Sequence, residues 1–154
     1  MISVALYEPE IPPNTGNIIR LCANTGAQLY LIEPLGFQLD DKRLRRAGLD
    51  YHEWANVQTF GSLEKLMGNQ QFGRVFGVTT KGQVAYTDVR YQTDDLLLFG
   101  PETRGLPDTI RQALPDDHLL RIPMQPASRS LNLANAVSIL VYEAWRQHKF
   151  AGAC

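Results

Sequence analysis

Short apolar runs alternate with amphipathic stretches along the chain. Runs rich in β-branched and aliphatic residues predict strands, and stretches with helical periodicity predict helices between them. The predicted strands are residues 2–7, 29–32, 57–60, 74–79, 96–99 and 119–122, and the predicted helices are residues 14–24, 40–48, 62–67, 107–114 and 131–147. This alternation predicts an α/β fold with a mostly parallel sheet flanked by helices on both faces.

Local signals suggest where the first and last helices begin. The proline pair at positions 12 and 13 excludes a helix until Asn14 or Thr15, and either residue is a suitable N-cap. Ser130 is the better N-cap candidate for the last helix. That helix carries few polar residues before Glu143, which predicts burial on more than one side. In so short a chain one of those sides can face a second subunit, so we predict a homodimer.

Length and cysteine content narrow the class of protein. The chain has 154 residues, which predicts a single domain, residues 1–154. No apolar run approaches the ~20 residues of a membrane span, and the N-terminus lacks the features of a signal peptide. Cys22 and Cys154 have no pairing pattern, which favours a reducing, cytoplasmic compartment. We expect Cys22 to be a small buried hydrophobic residue.

The formal net charge is −1, unlike the basic charge of most dedicated nucleic-acid binders. Any contact with a nucleic acid therefore requires a local basic patch. One such patch is formed by Lys42, Arg43, Arg45 and Arg46. It is either a solvated helix face or a phosphate-binding surface.

Three polar loops marked by glycine and proline are the candidates for the working site. They are residues 12–20, 99–107 and 123–135, and each follows a predicted strand. In open parallel sheets, ligands bind beyond the carboxyl ends of the strands. Glycine and proline at these positions leave backbone groups free to face a ligand.

Several common kinds of site are absent from the sequence. There is no dinucleotide fingerprint, no phosphate-binding P-loop, no nucleophile elbow and no C-x-x-C pair. His52, His118 and His148 lack the spacing of metal ligands, so we expect no metal. The remaining candidates are asparagine, arginine, glutamate, serine and backbone groups, which suit metal-free positioning and group transfer.

The three loops resemble the three motifs of the SPOUT superfamily of RNA methyltransferases, and more narrowly its 2'-O-ribose branch. The matching segments are residues 14–20, 99–107, 122–124 and 130–136. Residues 7–17 and 41–51 are similar to the minimal TrmL-type enzymes, which act on the tRNA wobble position. The resemblance spans nearly the whole chain and includes no additional RNA-binding domain.

This resemblance implies properties that the hydrophobic pattern does not indicate. It implies a C-terminal trefoil knot, which general rules of chain connection argue against. It implies S-adenosylmethionine as methyl donor, a homodimer packed partly through the last helix, and the tRNA anticodon loop as partner. The implied reaction is methylation of the ribose 2'-hydroxyl of nucleotide 34, a cytidine or modified uridine, in leucine tRNAs.

The resemblance also assigns site residues. Those expected at the reaction are Asn14, Arg20, Glu102, Ser130 and Asn132; those expected around the donor are Val78, Gly100, Ile122 and Ser130. The residues expected to contact RNA phosphates are Lys42, Arg43, Arg45, Arg46, Lys81 and Arg129.

Arg20 matches the motif arginine of this family, which is held to be essential and has been proposed as the base that removes the hydroxyl proton. A guanidinium keeps its proton at any ordinary pH, so it is a poor base. We expect Arg20 instead to pair with a substrate phosphate and to favour ionisation of the ribose hydroxyl. Asn14 is expected to orient Arg20 or the ribose, and Glu102 to hold Arg20 or the RNA.

Three alternatives remain open at this point. The same chemistry could act on another tRNA position or on ribosomal RNA. The chain could be a non-catalytic RNA-binding protein with the same fold. It could also be an unrelated nucleotide-binding α/β domain.

Overall fold

The computed structural model describes residues 1–154 and contains a seven-stranded sheet. The strands are β1 (Ser3–Tyr7), β2 (Gln28–Ile32), β3 (Val57–Phe60), β4 (Arg74–Val78), β5 (Val84–Ala85), β6 (Asp95–Phe99) and β7 (Leu119–Arg121). Their order in the sheet is β3-β2-β1-β6-β4-β7-β5, and every neighbouring pair is parallel. The helices are α1 (Pro12–Thr25), α2 (Lys42–Arg45), α3 (Tyr51–Trp54), α4 (Leu63–Asn69), α5 (Asp108–Ala113) and α6 (Leu133–Gln147), with 3-10 turns at Tyr86–Asp88 and Asp116–His118.

Two hydrophobic cores lie on opposite faces of the sheet. Val4 and Leu6 of β1 belong to a cluster of 22 buried residues that includes much of α1 and α6. Ala5, between them, belongs to a cluster of seven that includes Leu66 of α4. Successive strand residues point to opposite faces, so both faces of the sheet are covered, as predicted.

The predicted start of α1 is wrong. The helix begins at Pro12, with Ile11 at the N-cap and the two prolines at its first positions. Proline is tolerated there because the first N–H groups of a helix have no partner within it. Asn14 therefore lies inside the first turn and is not an N-cap, which leaves its side chain free for other contacts.

The predicted cap of α6 is also wrong. Asn132, not Ser130, caps this helix, and its side-chain oxygen accepts a hydrogen bond from the backbone N–H of Asn135 at 3.2 Å. The helix consequently begins at Leu133. Cys22 is buried as expected, and burial raises the pKa of its thiol to about 12.

The carboxyl ends of the central strands are crowded with backbone. β6 lies between β1 and β4, and β7 lies on the other side of β4. A Cβ atom at Gly82 would lie 2.6 Å from the carbonyl carbon of Leu120. A Cβ atom at Gly100 would lie 2.2 Å from the backbone nitrogen of Leu106. The loops after β4 and β6 thus pass very close to other backbone, while the knot itself stays a prediction from the resemblance.

No helix in the structure combines the length and the apolar character needed to cross a bilayer.

Candidate active site

A cavity of about 350 Å³ lies at the carboxyl ends of β4, β6 and β7. Val78 and Phe99 end two of these strands, Ile122 directly follows the third, and all three line the cavity. The other walls come from the loop that follows β6 and from the segment leading into α6. A volume of this size suits a small ligand. The cavity therefore lies at the strand ends where the sequence predicted a ligand site.

Most residues predicted for the reaction or the donor are brought together in this cavity. Its lining includes Asn14, Val78, Gly100, Glu102, Ile122, Ser130 and Asn132. Aliphatic side chains and exposed backbone stand beside a few polar groups, which is the usual composition of a small-molecule site.

A continuous set of hydrogen bonds joins the three motif loops. The Glu102 carboxylate accepts hydrogen bonds from the backbone N–H groups of Glu10 (2.9 Å) and Ile11 (2.6 Å). Its Oε2 also accepts from the side-chain amide of Asn14 at 3.3 Å. The Asn14 oxygen in turn accepts from Nδ2 of Asn132 at 3.0 Å. We call this set the Glu102–Asn14–Asn132 network; it fixes the orientation of both amides.

A second set of contacts ties the loop after β1 to the loop after β6. The Glu10 carboxylate accepts hydrogen bonds from the backbone N–H (2.9 Å) and the hydroxyl (2.7 Å) of Thr103. These two donors lower the pKa of Glu10. Arg104 reaches Glu8 and Glu10 from the same loop. The sequence did not predict these contacts, because the two partners of each contact lie more than 90 residues apart.

A further contact holds the end of the loop after β6 that leads into α5. Nη1 of Arg111, on α5, donates to the carbonyl oxygen of Leu106 at 2.8 Å, and Arg111 also pairs with Asp108. Arg111 lines the cavity and was not predicted to do so. Arg111 lies one helical turn after Pro107, and nothing in that position of the sequence indicates that it lines a cavity.

Arg20 lies outside the cavity. It is on α1, its side chain is 46% exposed, and its Nε donates to Oε2 of Glu53 at 2.9 Å. Neither Glu102 nor Asn14 contacts Arg20, so the structure does not support the part of each expectation that involves Arg20. That Asn14 orients the ribose and that Glu102 holds the RNA stay predictions. The physical reason is that Asn14 and Arg20 are six residues apart on a helix, which turns their side chains in different directions.

Glu53 was not predicted from the sequence. It belongs to a capping box in which the side chains of Asp50 and Glu53 bond each other's backbone N–H groups. The spacing of such a box is visible in a sequence. The sequence does not show which distant side chain the glutamate contacts.

The predicted RNA-contacting cations fall into three places. Lys81 lines the cavity. The residues of the basic patch, Lys42, Arg43, Arg45 and Arg46, are exposed on and just after α2, and Arg129 is exposed in the loop before α6. α2 and the residues just after it pack closely on α1. A Cβ atom at Gly16 would lie 3.4 Å from Leu44 of α2 and 2.9 Å from Cβ of Ala47. A Cβ atom at Gly48 would lie 3.5 Å from Arg20, so the chain two residues after the basic patch passes beside the Arg20 guanidinium.

Histidine, cysteine, aspartate and glutamate side chains nowhere form a group of three that could hold a metal ion.

The sequence matches a known family model over most of its length. Residues 1–142 match the model of the SpoU rRNA methylase family. The chain belongs to this family. The resemblance to the 2'-O-ribose branch of RNA methyltransferases is thereby confirmed.

Relatives within the SpoU family cover the whole chain. A Yersinia pestis protein named tRNA (cytidine(34)-2'-O)-methyltransferase is 62% identical over 159 residues, covering 99% of this chain and 98% of the relative. A solved structure described as giving structural insights into 2-OH methylation of C/U34 on tRNA is 42% identical, with a TM-score of 0.89 and 97% coverage of both chains. These matches support a wobble-position subgroup within the family.

A more distant SpoU methyltransferase has been solved with its cofactor. AviRb from Streptomyces viridochromogenes in complex with AdoMet is 27% identical, with a TM-score of 0.83, and the match covers 98% of this chain and 62% of AviRb. The SpoU fold described above is thus shared with a protein that binds this donor.

Proposed function

We propose that the chain methylates the ribose 2'-hydroxyl of the wobble nucleotide, position 34, of tRNA, with S-adenosylmethionine as donor. The substrate nucleotide is a cytidine or a modified uridine, in leucine tRNAs. The observation that carries the proposal is the intact Glu102–Asn14–Asn132 network at the edge of a ligand-sized cavity. The 62% identity to the Yersinia pestis tRNA enzyme supports position 34 over other sites.

The residues of the cavity fit this donor. Val78 and Ile122 supply apolar surface for the adenosine, while Gly100 leaves the backbone uncovered because a side chain there has no room. Ser130 supplies a free hydroxyl in the lining. When bound, the donor would supply a methyl group from its sulfonium: the sulfur–methyl bond breaks, and the sulfur leaves as the neutral thioether of S-adenosylhomocysteine, which needs no metal.

Asn14 and Asn132 are proposed to position the ribose. Their amides are held by one another and by Glu102, so they meet the substrate without reorganisation. During the reaction the 2'-oxygen gains the methyl group and loses its proton. The proton leaves to a neighbouring phosphate or to water, since the network offers no free base.

Arg20 is proposed to act through a substrate phosphate. Its Nε is engaged by Glu53, which leaves the two terminal amino groups to form a bidentate contact. Binding of that phosphate brings the positively charged guanidinium of Arg20 near the ribose. The guanidinium then favours ionisation of the hydroxyl.

We further propose a homodimer in a cytoplasmic setting. Tyr142 and Phe150 are 43% and 42% exposed and pack edge-on against Trp145 at the end of α6. Such an exposed aromatic cluster is typical of an interface. Light scattering at micromolar concentration should give about twice the 17.3 kDa chain mass, and a single-chain mass would contradict the dimer. Both cysteines are free thiols, which suits a reducing compartment.

The basic patch is expected to contact RNA phosphates. Replacing Arg45 and Arg46 with glutamine should weaken tRNA binding and lower the slope of log affinity against log salt by about 1 to 2. Replacing Arg43 alone should have a smaller effect, because its guanidinium already pairs with Asp41. Filter binding at several salt concentrations measures both. An unchanged slope in the double variant would remove the patch from the RNA interface.

The proposed function is tested by methyl transfer from labelled S-adenosylmethionine into total tRNA and ribosomal RNA, followed by mapping of the modified nucleoside. Label confined to the 2'-oxygen of nucleotide 34 is the expected result. Label at another tRNA position or in ribosomal RNA would redirect the substrate assignment. Calorimetry with the donor alone separates an enzyme from a non-catalytic RNA-binding protein, which would show no binding.

A further inference from the structure

Tyr51 is exposed to an unusual degree for an aromatic residue. It is 90% exposed, whereas the next most exposed large hydrophobic residue, Tyr142, is 43% exposed. An aromatic ring left in water gains nothing for the fold, because the free energy of burying it is not realised. Its position therefore suggests a contact with something outside the chain.

The backbone around Tyr51 is firmly held. Leu49 and Trp54, on either side, pack against the larger hydrophobic core. The capping box of α3 adds hydrogen bonds of 2.9 Å and 3.4 Å between Asp50 and Glu53. The ring thus projects from a fixed segment, and little conformational entropy is lost when a partner binds it.

The surface around α3 is suited to a polyanion. The basic patch precedes Tyr51 by five to nine residues, and its members Lys42, Arg45 and Arg46 form no ion pair within the chain. Glu53, two residues after Tyr51, holds Arg20. An exposed aromatic ring thus lies in the segment that links unpaired cations to the arginine proposed for the reaction.

We infer that Tyr51 is a stacking platform for an unpaired base of the RNA substrate, close to the nucleotide that is methylated. This inference rests on the proposed function. Single-stranded RNA loops are recognised by aromatic rings that stack on splayed bases, with cations nearby that contact the backbone phosphates. A second copy of the chain is a poorer occupant, because in a symmetric pair the same patch faces itself and the unpaired cations repel each other.

The test compares Tyr51→Ala, Tyr51→Phe and wild type. Stacking needs the ring and not the hydroxyl, so Tyr51→Phe should match wild type. Tyr51→Ala should raise the KM for tRNA about tenfold with little change in kcat, the size expected for one lost base–aromatic stack. Calorimetry should give the same affinity for S-adenosylmethionine in all three proteins, which excludes damage to the cavity.

A fluorescent probe tests the stack independently of catalysis. Anticodon stem-loop oligonucleotides carry 2-aminopurine at successive loop positions, and stacking on Tyr51 should quench one of them in wild type and Tyr51→Phe but not in Tyr51→Ala. An unchanged tRNA KM together with identical quenching in all three proteins would overturn the inference. So would a change of light-scattering mass in Tyr51→Ala, which would assign the surface to chain–chain contact. Absence of methyl transfer by wild type would instead contradict the proposed function, while the quenching result would still decide the role of Tyr51.

Discussion

Replacing Gly100 with alanine is expected to abolish donor binding and, with it, methyl transfer. The added Cβ would lie 2.2 Å from the backbone nitrogen of Leu106 and 2.3 Å from the carbonyl carbon of Gly105. Both neighbours are backbone atoms, so the loop after β6 must open to make room. That loop forms one wall of the cavity and carries Glu102, whose network would be displaced with it.

Calorimetry with S-adenosylmethionine measures the loss, and thermal unfolding measures the cost to stability, about 1 to 3 kcal/mol for an overpacked site. Gly68→Ala is the matched control, since a Cβ at Gly68 meets nothing within 4 Å and α4 gains a better helix former. Donor affinity of Gly100→Ala equal to that of wild type would show that the loop does not bind the donor in this form.

Replacing Arg20 with alanine is expected to lower kcat by about 100-fold or more, the effect of removing a charge that stabilises a developing oxyanion. Arg20 does not line the cavity, so donor affinity should be unchanged. The split between a large fall in kcat and an unaltered donor affinity distinguishes this role from a structural one.

Arg20→Lys tests whether the planar guanidinium is needed. Lysine keeps the charge but cannot both bond Glu53 and present two parallel donors to a phosphate. We expect lysine to restore only a small part of the activity. Activity of Arg20→Lys near that of wild type at neutral pH would contradict the bidentate contact. Arg90→Ala, an exposed arginine outside the motif loops, provides the control.

The long strands were predicted to within one or two residues because their apolar pattern is strong. β1 was expected at residues 2–7 and spans Ser3–Tyr7; the apolar run at 96–99 became β6, Asp95–Phe99. β5 has two residues and α3 has four, and neither was predicted. Elements of that length complete too little of a period to be detected.

The site was predicted in part. Loops at the ends of parallel strands meet at one edge of the sheet, so the strand pattern alone brought the segments of Asn14, Glu102 and Asn132 together. The resemblance to the SPOUT RNA methyltransferases supplied the expected reaction, methyl transfer to a ribose hydroxyl. Neither indicated that Glu102 bonds the backbone of Glu10 and Ile11, since those partners lie 92 and 91 residues away.

The hydrophobic pattern of the chain dictates its fold class, the two covered faces of the sheet and the edge at which the cavity forms, because periodicity reports which side of each element is buried. The pairing of Arg20 with Glu53, the capping of α6 by Asn132 and the exposure of Tyr51 emerge only when the elements pack. A polar side chain has several possible partners of similar energy, and the packing of distant segments selects among them. For this chain, that selection separated the arginine proposed for catalysis from the cavity that holds the other site residues.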